Sequence, residues 1–223
     1  MNKYKVDLPY PIPQRILSLP VQNGYPVPWF VAQVDGKYDF RITDGSKLKK
    51  AVNLKRCWIC GERLGSHLAF PIGPMCAINK TISEPPSHTE CAEWSIKTCP
   101  FLAQKQEIRR ETNLPEGIKE PGGIAIARQP GVTCLWVTNF YKVVQVANGV
   151  IFKIGDPLKI SWFREGREAT RKEVMESIDS GYPILLNMAI KEGDFAVKNL
   201  EAMRLEALKL LPADSEQIAV SQS

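Results

Sequence analysis

Five of the six cysteines and both histidines of this 223-residue chain fall between Cys57 and Leu102, and that crowding constrains the fold more than any hydrophobic pattern does. Cys57-Trp58-Ile59-Cys60-Gly61 sets two thiols at the spacing from which a tight turn aims both at one ion, and Gly61 can adopt the unusual backbone angles that follow. Further along, His88-Thr89-Glu90-Cys91 places an imidazole and a thiol three residues apart. Pro85-Pro86-Ser87 supplies a helix start and CAEWSIKTC a helix body, so His88 and Cys91 share a face of a first turn. Cys57, Cys60, His88 and Cys91 thus form a Cys3His set suited to Zn²⁺, whose structural sites are closed by four protein ligands. The competing readings are small buried side chains or a redox dithiol. Cys76 lies near a turn expected at Ile72-Gly73-Pro74, from which it could replace one ligand. Cys99 is too far round the helix, Cys134 sits in an apolar strand, and all three leftover cysteines read as structural.

The remainder of the chain reads as an α+β protein. From Pro28 to Thr43 apolar and polar residues alternate on either side of Asp35-Gly36, which predicts a β-hairpin. Asp44 or Ser46 can cap the basic helix SKLKKAVNLKR that runs up to Cys57. The runs TCLWVT, YKVVQVA, VIFKI and LKISWF, separated by turn residues, predict an antiparallel meander. C-terminal helices should cover it: one opening on the capping-box spacing Thr170-Arg171-Lys172-Glu173 and stopping at Gly181, a short one restarted by Pro183, and the longest capped by Asp194. Leu200, Met203, Leu208 and Leu211 should mark the inner face of that longest helix. The expected organisation is a hairpin and basic helix over 1–56, a zinc module over 57–102, and a Pro/Gly-rich connector over 103–131. The meander with its helices occupies 132–212, and a frayed tail 213–223.

Between the two ligand pairs, HLAFPIGPMCAINKTISE can form two strands. A Cys-x2-Cys turn, a hairpin and a helix giving two ligands resembles the treble-clef class of zinc finger over about 35 residues. More widely, PVPWFV, CWICG, IGPMCAIN, EPPSHTECA, CPFL and GREATRKEV resemble a family of uncharacterised proteins carried by phages and bacterial genomes. That likeness runs from about Leu19 to Pro212. It implies a phage or prophage origin and brings no activity with it.

The N-terminus, MNKYKVDLPYPIPQR, lacks the apolar segment of a secretory signal, and no run reaches the roughly 18 apolar residues of a membrane span, so the expected location is the cytoplasm, a host cell's if phage-encoded. A net charge of +5 admits a nucleic-acid partner without requiring one. The leading expectation is a non-enzymatic zinc protein that binds nucleic acid or a host protein, with a host-takeover or defence-modulating role. Lys47 and Lys50, three apart on the basic helix, are the candidate phosphate contacts. Further basic groups lie at Lys105, Arg109 and Arg110 and at Arg164, Arg167, Arg171 and Lys172, and five tryptophans could stack on bases if exposed. The enzymatic alternative is an HNH-like, metal-dependent nuclease with His67 as general base oriented by Asn79. It lacks the usual acidic neighbour, because Ser66 stands there, and a second free histidine. A zinc deaminase would use His88-Thr89-Glu90 as H-x-E, but its cysteine pair should follow that motif, and here Cys57 and Cys60 precede it. Phosphate-binding glycine loops and the G-x-S-x-G elbow do not occur.

Overall fold

Asp35 and Gly36 both take positive φ, 49° and 77°, as the tight turn of a two-residue hairpin requires. In the computed structural model, which describes residues 10–103, 122–124, 126 and 128–214, they join β3 (Val31–Val34) to β4 (Lys37–Thr43), with Val34 opposite Lys37. A one-turn helix α1 (Gln14–Leu17) and the small pair β1 (Val21–Gln22) and β2 (Tyr25–Pro26) precede them. Asp44 then caps α2 (Gly45–Leu54), its carboxylate accepting from the Ser46 and Lys47 amides. The expected hairpin and basic helix are both present.

The segment between the ligand pairs departs from expectation. β5 (Leu68–Ile72) is followed by helix α3 (Pro74–Asn79) and then β6 (Thr81–Ile82). The two strands lie in different sheets, so the hairpin of the treble-clef reading does not form. Pro74 is the reason. With Gly73 as N-cap it occupies the first helical position, where its missing N–H costs nothing and its fixed φ favours the helix.

Next come α4 (Thr89–Thr98), α5 (Pro100–Ala103), β7 (Thr133–Thr138), β8 (Tyr141–Val146), β9 (Gly149–Ile154), β10 (Lys159–Arg164) and β11 (Arg167–Glu168). The four predicted strands form where expected but do not make one meander. β7 and β10 join a sheet ordered β11-β10-β7-β5, whereas β8 and β9 form a hairpin that pairs with β6. Every residue of β7 is buried, because the strand is covered on both faces, and this explains its unbroken apolar run. Leu135 and Val137 pack with Ala69, Phe163 and the α4 residues Ala92 and Ile96. Cys134 and Trp136 face the other way, into the main core with Phe70, Ile72, Trp162 and the helices.

That second face is covered by α3 and two long C-terminal helices, α6 (Arg171–Glu192) and α7 (Asp194–Leu208). The predicted capping box is present: Thr170 Oγ1 accepts from the Glu173 amide, and the Glu173 carboxylate accepts from the Thr170 amide. The predicted stop at Gly181 is not. α6 continues through Gly181 and Pro183 for 22 residues, making it longer than α7. At Gly181 a Cβ would lie 2.6 Å from Arg128 Nη1 and 3.0 Å from Met75 Sδ, so the glycine serves close packing. Asp194 is the first residue of α7 and not its cap, which is Gly193 at φ 106°. Leu200 is buried and Met203 and Leu208 pack beside it, as the periodicity predicts, while the buried Leu211 lies past the end of α7 at Leu208. Most of the expected connector and nearly all of the expected tail lie outside the described residues.

Candidate metal centre

The local backbone around Cys57 is dictated by its own turn. Cys57 N–H donates to Glu62 and Gly61 N–H back to Cys57, while Arg56 and Arg63 face each other across an antiparallel bridge. Gly61 takes φ +77° against the Trp29 ring, where a Cβ would fall within 2.6 Å of indole carbons. Only glycine fits both demands. The residues between the two thiols hold the knuckle in place. Trp58 stacks on Phe30 with centroids 5.0 Å apart, and the Ile59 carbonyl accepts from the Trp29 amide.

The second pair is delivered by α4. Ser87 does not cap this helix. It exchanges two backbone hydrogen bonds with Ala69, which pins the helix entry to the edge of β5. His88 is the N-cap and makes no side-chain cap bond, because its ring is turned toward the thiols. Cys91 lies in the first turn.

These elements bring Cys57, Cys60, His88 and Cys91 together, with their ligand atoms all within 4.8 Å of one another, and the group could hold a metal ion. The three cysteines are buried and carry no disulfide. His88 Nδ1 lies 3.3 Å from Cys60 Sγ and 4.0 Å from Cys91 Sγ. Its Nε2 faces the Arg63 carbonyl at 3.1 Å. That partner selects the tautomer with the proton on Nε2 and leaves Nδ1 as the donor toward a metal. The amides of Cys60 and His88 both point at Cys57 Sγ from 3.4 Å, the support a thiolate needs.

Electrostatics agree with that arrangement. Burial works to raise the Cys57 thiol, but hydrogen bonds from Cys60, Cys91 and His88 outweigh it and hold the group far below an ordinary thiol. The same bonds, from Cys57 first, raise His88 to about 10. Those to Cys57 and Cys60 push Cys91 well up. The cluster thus favours negative charge on Cys57 and protons on His88 and Cys91, protons that a bound cation would displace.

A part of the site with no signal in the sequence is the clamp around it. Arg15 on α1 bonds Glu62, just after the knuckle, and Glu90, just before Cys91. Ile16 and Leu19 join Cys57, Ile59, Cys60 and Cys91 in a small apolar cluster of their own. The N-terminal segment thus closes over the thiols, and only the loose proximity of an arginine and apolar residues at the chain's start could have hinted at it.

The other candidate residues fall elsewhere. Cys76 is not among the grouped ligands, and burial followed by the nearby Glu84 charge raises its thiol to about 11. Cys134 is fully buried. His67 is exposed in the residue before β5, and the side-chain carbonyl of Asn79 accepts from the Thr81 amide. Lys47 Nζ donates to the Val31 carbonyl at 2.8 Å and lies 3.7 Å from Asp44, whereas Lys50 is exposed. Arg164 and Arg167 both pair with Glu173, and Arg171 with Asp214. None of the five tryptophans is exposed. Lys105, Arg109 and Arg110 lie outside the described residues. The metal centre stands on its geometry and donor chemistry, for no family model, curated protein or solved structure matches the chain in comparisons with known proteins.

Proposed function

We propose that this chain is a zinc-stabilised, non-enzymatic protein that binds nucleic acid. The observation that carries the zinc reading is the closed donor set: three thiols and one imidazole nitrogen within 4.8 Å of one another. Thiolates with an imidazole suit Zn²⁺, and four protein ligands leave no position for a reacting water. The expected metal content of purified protein is one zinc per chain, lost in the Cys57→Ala, Cys60→Ala double variant. Protein free of zinc, or a double variant that keeps it, would overturn the assignment.

The nucleic-acid reading draws on the net charge of +5 and on the basic helix α2 beside the knuckle. Lys50 is the more accessible of the two lysines named from the sequence. The strings resembling phage-carried proteins support a setting inside a bacterial cell, and no described helix is long and apolar enough to cross a membrane. Affinity for DNA or RNA should fall steeply with salt and weaken in the Lys47→Ala, Lys50→Ala variant. A nuclease acting through His67 would need ligands for its own cation. Among the described residues the Cys3His set is the one group of three or more candidate ligands. Plasmid nicking with Mg²⁺ or Mn²⁺ that His67→Ala abolishes would replace the non-enzymatic reading.

A further inference from the structure

Residues 45–69 carry six cations, Lys47, Lys49, Lys50, Lys55, Arg56 and Arg63, against a single carboxylate, Glu62. That excess equals the +5 of the entire chain, so the charges of the remainder cancel. The fold then sorts the six. Lys47 is tied to Val31 and Asp44, and Arg56 Nη1 donates to the Gly61 carbonyl at 2.9 Å. Glu62, the one anion, is neutralised by Arg15. Lys49, Lys50, Lys55 and Arg63 remain exposed, with no ion pair among the described residues.

These four belong to one continuous piece of backbone geometry. Lys49 and Lys50 lie at the middle of α2, and Lys55 is its C-cap in the left-handed conformation. The Lys55 carbonyl accepts from the Leu64 amide at 2.8 Å, which sets Arg63 diagonally across the knuckle from Lys55. The Arg63 carbonyl in turn meets His88 Nε2. The strip is therefore mounted on the ligand-bearing turn. Among Phe, Tyr and Trp the stretch holds one residue, Trp58, which is 4% exposed and stacked on Phe30, so it offers no platform for a base.

We infer that Lys49, Lys50, Lys55 and Arg63 form a phosphate-contact surface for the nucleic-acid backbone, read without base stacking, with Lys47 and Arg56 as internal struts. The inference rests on the nucleic-acid reading above and specifies its contact. Four contacts on duplex DNA correspond to a slope of log affinity against log salt of about −3.6, at about 0.9 per neutralised phosphate. A solvated face with no partner gives none.

The test is the salt dependence of binding to a mixed-sequence duplex, and to polyglutamate, for the full-length zinc-loaded protein. Three double variants are compared: Lys49→Gln with Lys50→Gln, Lys55→Gln with Arg63→Gln, and Lys191→Gln with Lys198→Gln on the exposed helical surface. Each removes two charges, so net charge alone cannot distinguish them, and circular dichroism checks that each is folded. The expected result is a slope reduced by about 1.8 in each of the first two and unchanged in the third. Duplex binding in which all three behave alike would overturn this surface while leaving the nucleic-acid reading in place. Polyglutamate bound as tightly as duplex, with the same sensitivity to the first two variants, would overturn the partner class in favour of an acidic protein. No duplex binding even at low salt would overturn both the surface and the reading it rests on.

Discussion

Cys57 and Cys134 are both fully buried thiols, yet their neighbours give them opposite chemistry. Burial alone lifts Cys134 well above its ordinary value, which makes it an inert apolar group in a strand. Around Cys57 burial acts in the same direction and is outweighed by bonds from Cys60, Cys91 and His88. Sequence spacing was enough to group Cys57 with Cys60, His88 and Cys91 and to leave Cys134 out, because a Cys-x2-Cys turn and a His-x2-Cys helix start are local geometries. It could not have named the Arg63 carbonyl or the Arg15 clamp, which depend on how distant segments dock. In zinc-loaded protein, Cys91→Ala should cost about 3–5 kcal/mol, against about 1–2 for Cys134→Ser. Melting with and without chelator checks this: chelation should shift the wild type and Cys134→Ser but not Cys91→Ala, and a wild type indifferent to chelator would deny the metal a structural role. At Gly61 an alanine meets both a positive φ and the Trp29 ring at 2.6 Å. The expected cost is about 2–3 kcal/mol, read from denaturant midpoints. A Gly61→Ala protein as stable as the wild type would mean that Trp29 yields freely.

At the scale of elements, the caps at Asp44 and Thr170 were legible where those of α4 and α7 and the length of α6 were not. A cap is written in four consecutive residues, as at Asp44 and at Thr170 to Glu173. A helix stop is only a preference that packing can override, as Met75 and Arg128 do at Gly181. For the same reason the short run after Pro74 could be read as strand or helix. The partners of β5 and β6 are β7 and β9, on the far side of α4, and no local pattern announces them. The cap of α6 carries its own pH signature. The Arg167 guanidinium bonds the Glu173 carboxylate and holds it down to about 2, against an ordinary 4.5. A folded-state value below the unfolded one means stabilisation that is full above about pH 4.5 and fades as pH falls toward about 2. Solvent screens the pair, since Arg167 is half exposed, so the loss should be about 1 kcal/mol. Comparing stability at neutral pH and near pH 3 for wild type and Glu173→Gln tests it. The variant should be the weaker at neutral pH, and the difference should shrink in acid. A difference constant with pH would assign the effect to the neutral cap alone.

Taken as a whole molecule, the protein has an uneven division of its apolar interior. One large cluster runs from Phe70 and Trp136 through the C-terminal helices to Leu211, and it contains no metal ligand. The three cysteines of the candidate metal centre sit in a second, far smaller cluster with Ile16, Ile59 and Leu19. Helix α4 carries Cys91 toward the thiols and places Ala92 and Ile96 against β5 and β7, in a third small cluster on the sheet face opposite the large one. So small a cluster buries little apolar surface to hold α1 and the knuckle, and on the zinc reading proposed above the metal supplies the remainder. The large cluster faces no such deficit. Removing the metal should therefore open the molecule locally and not globally. In hydrogen exchange, chelation should strip protection from the amides of Trp29, Gly61 and Leu64, which bond across this region. The amides of β7 and α6 should remain slow. The first turn of α4 should lose protection while its second half, packed on the sheet, keeps it. Uniform loss across the chain would show one cooperative unit with the metal as its keystone, and unchanged exchange everywhere would show that the thiol cluster stands without an ion.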